Sequence, residues 1–343
     1  MKNTKRNTFL FTFLFLGLAI LFVADIALGS VTIPINDVFN SLTGGKASKE
    51  TWEYIIINYR LPKAITAILV GMGLSISGLL MQTLFRNPLA GPYVLGLSSG
   101  SSLGVAFVIL GAGYVPGFLG SFLLSSYGII IASFLGSLMV LLAVLFVSQR
   151  LRDTMAILIV GLMFGSFTSA FVGVLSYFST AEQLQKFTFW SLGNLGNLSW
   201  TSIEILAVSV MFGLLLGIFS IKPLDALLLG ENYARSMGLN YNKSRLIIIF
   251  ATSILAGSIT AFAGPIAFVG LAVPHIAKMV FHTSSHTILF WSTLLFGAFI
   301  MLFCDILSQI PGTEVTLPIN AITSIIGAPV VIWLLVNKRN RVV

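Results

Sequence analysis

The ionisable side chains that could do chemistry concentrate in one stretch, residues 222–245, which reads KPLDALLLGENYARSMGLNYNKSR. Glu231 and Arg235 stand four residues apart in it, in the order that favours an ion pair along a helix. A helix N-terminus also favours an anion such as Glu231, because of the backbone dipole. A polar segment of this length between apolar segments favours binding of a partner; a solvated connector with ordinary helix caps is the alternative.

Two glycines divide this stretch. Gly230 separates a predicted helical piece at 224–229 from a second piece at 231–237. Gly238 is free to adopt the left-handed conformation that commonly follows the end of a helix. The pattern therefore predicts two short helices in tandem, with the Glu231–Arg235 pair on the second.

The rest of the sequence offers no catalytic pattern. It contains no Walker-type phosphate loop, no GxGxxG and no HExxH sequence. His275, His282 and His286 lack a convincing ligand spacing, so core or interfacial positions are favoured for them. We therefore expect no catalytic residue in this chain, and neither a metal nor another cofactor bound by it.

The composition identifies a membrane protein. The 343 residues are 57% hydrophobic and 9% charged, with a mean hydropathy of +0.99, whereas soluble proteins carry about 25% charged residues. The net charge of +8 would suggest a nucleic-acid partner in a soluble protein. Here it needs none, because cytoplasmic loops of membrane proteins are enriched in Lys and Arg. The single cysteine, Cys304, rules out an intramolecular disulfide.

Apolar runs long enough to span a bilayer recur along the chain, which predicts an all-α polytopic protein and one transmembrane domain over 1–343. The first run could be mistaken for a signal peptide, but its apolar part is long and lacks a clear cleavage site. The eighth run is short and contains Pro274. The ten predicted spans are 9–29, 60–85, 93–111, 125–148, 154–178, 200–220, 245–263, 265–281, 286–306 and 319–336.

The distribution of basic residues predicts the orientation. With the N-terminus inside, most of the 19 Lys and Arg residues fall in inner segments, so both termini are expected in the cytoplasm. None falls at mid-membrane depth, whereas ion-coupled carriers usually keep ionisable groups inside the bilayer. The energy for any transport is therefore expected to come from elsewhere. The basic residues of the outer segments are Lys46, Lys49, Arg60, Lys63 and Lys186.

A short internal repeat supports a transporter. SISG at 75–78 leads to GPYVLGL at 91–97, and SITA at 258–261 leads to GPIAFVGL at 264–271. The spans before the two copies enter from opposite sides, which predicts an inverted-topology repeat.

Several stretches together resemble the permease subunit of the ABC importers for vitamin B12, iron–siderophore complexes and haem, the type II importers. The resemblance extends from Arg60 to nearly the C-terminus, and RNPLAGPYVLG and FVGLAVPH are its most specific parts. The stretches that carry it are RLPKAITAILVGMGLSISGLLMQTLFRNPLAGPYVLGLSSGSSLG at 60–104, FWSLGNLGNLSW at 189–200, LLLGENYARSMGLNYNKSR at 227–245, GSITAFAGPIAFVGLAVPHIAKM at 257–279 and IIGAPVVIWLL at 325–335.

The resemblance implies a ten-helix subunit of the bacterial cytoplasmic membrane that works as a dimer. We expect a homodimer, with a heterodimer with a related permease as the alternative. Its partners would be two cytoplasmic ABC ATPase subunits, which use Mg-ATP, and an extracytoplasmic substrate-binding protein. It further implies that 222–245 is a coupling loop that fills a groove on the ATPase. The residues expected to form that contact are Leu224, Leu228, Gly230, Glu231, Ala234, Arg235, Met237 and Gly238.

The resemblance also implies that basic residues near the start of the second span receive acidic side chains of the binding protein. Here these are Arg60 and Lys63; lysine keeps the charge but loses the bidentate fork of arginine. Gln309 stands where a basic residue is common in the family, and Thr316 where an acid is common. Anchoring of Arg60 and Lys63 to lipid headgroups is the alternative.

The sequence thus predicts an importer permease that works by alternating access, most consistent with iron–siderophore complexes, or with haem or cobalamin. A stand-alone secondary carrier with inverted repeats is the main alternative, and a membrane enzyme a distant third. Small and polar residues of the fifth span are predicted to line the pathway, although tight helix packing explains the same pattern. They are Gly161, Phe164, Gly165, Ser166 and Thr168.

Overall fold

A computed structural model describes residues 2–111, 117–150, 154–196, 198–309 and 315–339. Apart from an isolated bridge between Gln309 and Thr316, that part of the chain forms helices and their connections. The α-helices are α1 (Lys2–Ala27), α2 (Ile35–Leu42), α3 (Glu50–Ile55), α4 (Leu61–Leu84), α5 (Leu97–Ile109), α6 (Phe118–Leu123), α7 (Ser126–Arg150), α8 (Thr154–Tyr177), α9 (Ala181–Ser191), α10 (Trp200–Phe219), α11 (Ile221–Leu228), α12 (Glu231–Ser236), α13 (Tyr241–Ala263), α14 (Val269–Phe281), α15 (His286–Ser308) and α16 (Ile319–Arg339).

Each of the ten predicted spans coincides with a helix, which confirms an all-α polytopic fold. Within the described ranges, seven helices are long and apolar enough to cross a bilayer. A spanning helix needs about 20 apolar residues, and its backbone groups must bond to one another because lipid offers them no partner. Helices α5, α14 and the apolar part of α16 are shorter.

The predicted starts of the third and eighth spans were wrong, since the Gly-Pro segments before them are not α-helical. Pro92–Leu95 forms a 3-10 turn, and Gly96 then caps α5 with φ of 76°. In the second copy of the repeat, Phe268 caps α14 with φ of 66°, in a region that bulky residues rarely occupy. Both copies of the repeat therefore place a residue with positive φ directly before a 13-residue apolar helix.

One helix-like run is continuous from Glu50 to Leu84. Its first turn and a half is α3, its last 24 residues are α4, and Ile56–Arg60 between them forms a π-helix. A π segment accommodates one extra residue in an otherwise α-helical run and often marks a functional site. Arg60 is the last residue of the π segment, and its side chain is buried.

The described residues divide into two compact units. The first contains Met1–Ile76, Asn194–Val208 and Ile266–Val343. In it, α15 packs against α1, α14 and α16. Helices α4 and α15 approach closely at Gly71 and Gly297. A Cβ added to Gly71 would lie only 2.2 Å from the carbonyl oxygen of Gly297, so a larger residue would not fit there. Glycine at such a crossing lets two backbones meet, as is typical of membrane helices.

The second unit contains Ser77–Gly193 and Ser209–Pro265. Helix α5 lies at its centre and packs against α7 and α8, while α13 packs against α7 and α5. The buried side chains of α5 are surrounded by partly buried apolar residues of α7, α8 and α9. Because each unit is assembled from separated parts of the chain, neither is a contiguous stretch of sequence.

Candidate functional site

The stretch singled out in the sequence forms the two short helices that were predicted there. Helix α11 begins at Ile221, with only Ser220 between it and the end of α10, and α12 spans Glu231–Ser236. Leu224 and Leu227 of α11 are buried and hold that helix against the rest of the chain. Leu224 was expected to contact the ATPase, but its side chain is fully covered by the chain itself. Gly230, with φ of 102°, makes the sharp turn between the two helices, which we call the α11–α12 element.

Helix α12 carries the predicted ion pair and the predicted cap. Arg235 Nη2 lies 2.7 Å from Glu231 Oε1, and Arg235 Nε donates to the same oxygen at 3.0 Å. After the helix, the N–H of Gly238 donates to the carbonyl of Arg235, and the N–H of Leu239 donates to that of Ala234. This pair of bonds with Gly238 at φ of 84° is a Schellman motif, which satisfies carbonyls that the helix end leaves free.

The α11–α12 element presents apolar side chains outward. Tyr233 is 55% exposed and Met237 is 62% exposed, and Leu229 is exposed beside them. Leu228 is only marginally exposed. These side chains provide large apolar anchors next to a polar ion pair, which is the composition of a protein-binding surface.

Ala234 occupies a different face of α12 from the one expected. It is fully buried within the chain, so it supports the helix from inside and does not lie on the outward surface. The reason is helical periodicity, since Ala234 lies on the side of α12 opposite Asn232 and Ser236. A large residue at 234 would therefore disturb the internal packing of the element.

The last residues of the charged stretch belong to a span. Asn240 caps α13, its side chain accepting from the N–H of Lys243 at 3.1 Å, so Lys243 and Arg245 are helical rather than part of a loop. The guanidinium of Arg235 lies 5.4 Å from the ring centroid of Tyr241, and that of Arg245 lies 5.7 Å from it. Tyr241 thus joins α12 to the first turn of α13 through two cation–π contacts.

Arg60 and Lys63, the predicted docking residues, have internal partners. Arg60 is 8% exposed, and its Nη1 donates to the carbonyls of Ile26 at 2.7 Å and Ala27 at 2.9 Å. Its Nη2 donates to the carbonyl of Val31. The guanidinium therefore satisfies carbonyls at the C-terminal end of α1, where a cation is also favoured by the helix dipole.

Lys63 is held by a buried carboxylate. Its Nζ lies 2.9 Å from Asp305 Oδ1, and 19% of the lysine side chain remains exposed. Gln309 Nε2 donates to Asp25 Oδ1 at 3.0 Å and lies 3.4 Å from Asp305 Oδ2. Asp25 and Asp305 are both buried. We call these five side chains, Asp25, Arg60, Lys63, Asp305 and Gln309, the Arg60 cluster.

The sequence analysis did not find the acidic half of the Arg60 cluster. The available signal was that Asp25 and Asp305 stand near the ends of spans on the same predicted side as Arg60 and Lys63. Buried charges are stable only when they are paired, so acids and bases at matching depth are candidates for pairing. The docking role of Arg60 and Lys63 stays a prediction.

Three of the five residues predicted to line a pathway, Gly161, Phe164 and Gly165, pack against α5 or its N-terminal cap, Gly96. The carbonyl oxygen of Gly161 would lie 3.0 Å from a Cβ added to Gly96, and Phe164 Cβ would lie 3.5 Å from it. Gly165 faces Ser99 of α5, and Thr168 is buried. Ser166 is exposed and donates to the carbonyl of Leu162. These contacts agree with the packing alternative, and the pathway role stays a prediction.

The three histidines lie apart from any ligand cluster that the described residues show. His286 is buried at the start of α15, and His282 ends α14 in a left-handed conformation. Among those residues, no group of three or more His, Cys, Asp or Glu side chains is placed to hold a metal ion.

Comparison with known proteins identifies the family. The sequence pattern of the FecCD transport family matches residues 17–337. The chain is 32% identical over 330 residues to the hemin transport system permease protein HmuU of Yersinia pestis, covering 96% of this chain and 97% of that protein. It is 33% identical over 290 residues to the vitamin B12 import system permease protein BtuC of Klebsiella pneumoniae, covering 84% of each.

A solved structure shares the fold. It is an inward-facing conformation described as a metal-chelate type ABC transporter, with a TM-score of 0.82 and 28% sequence identity. The match covers 95% of this chain and 97% of that one. A stand-alone secondary carrier is therefore not the correct interpretation of the repeat. With the family match over most of its length, the chain belongs to the FecCD transport family and is the membrane-spanning permease subunit of an ABC importer.

Proposed function

We propose that this permease imports a metal chelate, an iron–siderophore complex in the first instance and haem or cobalamin as the related candidates. It receives the substrate from an extracytoplasmic binding protein and moves it to the cytoplasm by alternating access. Support comes from the relatives, whose names specify hemin and vitamin B12, and from the structural neighbour of metal-chelate type. These are all large complexes of a metal, so one class of substrate covers them.

The observation that carries the proposal is the α11–α12 element. It presents Leu229, Tyr233 and Met237 outward, with the Glu231–Arg235 pair beside them. A few buried apolar anchors with a polar surround usually supply most of the energy of a protein interface. We assign this surface to the groove of an ATPase subunit, two of which bind Mg-ATP and act on a homodimer of this chain.

The internal contacts of the element suit it to transmit motion. Leu224 and Ala234 are fully buried, so the element is fixed to the chain rather than flexibly tethered. Only Ser220 separates α10 from α11, and Tyr241 links α12 to the start of α13. Movement of the ATPase groove would therefore tilt α10 and α13, the two spans that flank the element.

We assign docking of the binding protein to the extracytoplasmic side, where Arg60 and Lys63 are predicted to lie. That orientation follows from the enrichment of basic residues in cytoplasmic loops. Lys63 is partly exposed, so it could exchange Asp305 for a carboxylate of the binding protein. Arg60 is bound to backbone carbonyls of the chain and would instead shape the docking surface. Exchange at Lys63 would leave Asp305 buried with one partner fewer, which connects docking to the packing of α4 against α15.

Substitution of the outward anchors tests the ATPase assignment. Tyr233→Ala and Met237→Asp should reduce co-purification of the ATPase at least tenfold and abolish uptake, with normal membrane insertion. Asn232→Ala, an exposed polar position on the same helix, is the matched control and should change neither. Ala234→Arg is unsuitable for this purpose, because the side chain at 234 is buried. Wild-type co-purification in both anchor variants would refute the assignment.

The substrate is tested by uptake in a strain that lacks this permease. Radiolabelled cobalamin, haem and several iron–siderophore complexes are supplied in turn, with and without the cognate ATPase. Uptake of a siderophore complex that requires the ATPase is the expected result. Uptake that continues without any ATPase would instead favour secondary transport.

A further inference from the structure

Helix α2 has three chemically different faces. Asp37, Val38 and Ser41 are buried against the chain. Ile35 is 57% exposed and Phe39 is 51% exposed, and they lie one helical turn apart on a second face. Asn36 and Asn40 are exposed on a third face. At about 100° per residue, the centre of the apolar exposed face lies about 100° around the helix from the centre of the amide face.

The buried face of α2 is held in a fixed orientation. Asp37 Oδ1 accepts hydrogen bonds of 2.7 Å from both the N–H and the hydroxyl of Ser48, which closes the following loop onto the helix. Helix α2 also packs against α1, α3 and the π-helix. The segment before it is fixed as well, because Arg60 binds the carbonyl of Val31. The helix therefore cannot turn Ile35 and Phe39 inward.

Helix α2 lies between two candidate membrane spans, close to the ends of both in the sequence. It lies in the segment 28–49, which connects two apolar helices that are long enough to span. The helical run that follows starts at Glu50 and carries exposed Tyr54 and Tyr59 in its first ten residues. Just before it, the amine of Lys49 lies 4.6 Å from the ring centroid of Trp52. Tyrosine and tryptophan are enriched where membrane helices cross the headgroup layer.

We propose that α2 lies in the interface of the lipid bilayer, with Ile35 and Phe39 inserted at the boundary of headgroups and acyl chains. Asn36 and Asn40 then face water, and Asp37, Val38 and Ser41 face the protein. A short helix with an apolar face and a polar face adopts this position when its apolar face can enter lipid. Lipid is favoured over a protein partner because α2 lies in the short connection between two candidate spans, the second of which carries exposed Tyr54 and Tyr59 in its first ten residues.

This position would set the depth of one end of the permease in the membrane. Arg60 ties the segment before α2 to the end of α1, and α2 contacts the π-helix, so insertion of Phe39 fixes the level of both spans. The proposal does not depend on the substrate, on the ATPase contact or on docking of a binding protein.

Depth measurement with single labels tests it. Cys304 is replaced by Ala, and single cysteines are placed at Ile35, Phe39, Asn36 or Asn40, all four exposed. Each is labelled with a small environment-sensitive fluorophore, and the full chain is reconstituted in phosphatidylcholine vesicles. Doxyl-labelled lipids should quench labels at 35 and 39 at least threefold more than labels at 36 and 40. Aqueous iodide should give the reverse order.

Other occupants give different results. Equal quenching at all four positions by lipid would overturn the proposal. So would protection of the labels at 35 and 39 by added binding protein, or a disulfide between two copies at position 39, in place of lipid quenching. Phe39→Asp provides a second measurement: it should weaken vesicle-dependent protection of residues 35–42 from hydrogen exchange at least threefold, whereas Asn40→Asp should not.

Discussion

Oppositely charged side chains occur in two very different settings in this molecule. In the Arg60 cluster, Asp25, Asp305 and Arg60 are almost completely buried, and they join the ends of α1, α4 and α15. On α12, Glu231 and Arg235 form an ion pair that is exposed to solvent. Its N–O distance is 2.7 Å, compared with 2.9 Å between Lys63 and Asp305 in the cluster. The distances are alike, so geometry alone does not distinguish the two sites.

The difference lies in what replaces a lost partner. Water solvates an exposed ion when its partner is removed, so such pairs contribute little to stability. A buried ion has no such substitute, and removing its partner is strongly destabilising. The Arg60 cluster is therefore expected to fix the positions of helices, whereas the α12 pair is free to contribute to recognition.

The largest effect is expected for Arg60→Met. It leaves the carbonyls of Ile26, Ala27 and Val31 without their donor and should lower the free energy of unfolding by about 3 kcal/mol or more. Thermal unfolding in detergent measures this loss. Lys49→Met, which removes an exposed cation, is the control and should have little effect. Equal stability of the two variants would show that the cluster is not a structural centre.

A smaller loss is expected for Asp305→Asn, about 2 kcal/mol, since Lys63 can still turn its partly exposed amine toward water. The double variant Lys63→Met, Asp305→Leu should recover much of that loss, because apolar replacement of a buried pair is often neutral. A double-mutant cycle of Lys63→Met, Asp305→Leu and the two combined, followed by unfolding midpoints, gives the coupling. A purely additive result would contradict a direct interaction between the two residues.

Gly238→Ala addresses the backbone of the α11–α12 element. Its φ of 84° is left-handed, and a side chain there costs about 1 kcal/mol or slightly more. Because nothing lies within 4 Å of an added Cβ, the cost should come from the backbone alone. Gly238→Asn should be tolerated better than Ala, as asparagine visits this conformation more readily. Reduced hydrogen-exchange protection of residues 231–239 is the measurement.

The smallest effect on stability is expected for Glu231→Gln, no more than about 0.5 kcal/mol. The pair is exposed, so its contribution should also fall as salt is raised. The amount of ATPase that co-purifies with the variant, measured on the same sample, should fall clearly below the wild-type amount, whereas the free energy of unfolding should be almost unchanged. Unchanged ATPase co-purification together with a large loss of stability would show that the α12 pair is structural, as the Arg60 cluster is, and does not contribute to recognition.

Features set by near neighbours in the chain could be predicted from the sequence. The Glu231–Arg235 pair and the cap at Gly238 depend on spacings of four and three residues, which helical geometry determines. The spans could be predicted as well, because a bilayer requires long apolar helices. Helix ends were less accurate where Gly96 and Phe268 adopt left-handed backbone angles before α5 and α14.

Features set by distant residues could not be predicted in the same way. Gln309 bonds to Asp25 across 284 positions, and no local pattern reports that distance. The buried position of Ala234 likewise depends on which side of α12 meets the rest of the chain. A single sequence specifies the faces of a helix, whereas tertiary packing decides which face is covered.

The π-helix at Ile56–Arg60 has a consequence for insertions and deletions. It takes up one residue more than an α-helix would, and each residue of an α-helix turns the chain by about 100°. The extra residue is absorbed inside the π segment, so α3 and α4 keep nearly the relative phase that an unbroken α-helix one residue shorter would give them. Deleting one residue from Ile56–Tyr59 should therefore close the segment into an α-helix and leave Arg60 and Lys63 directed at the ends of α1 and α15. The same deletion inside α4 has no such buffer and would turn the two parts of that helix by about 100° relative to each other.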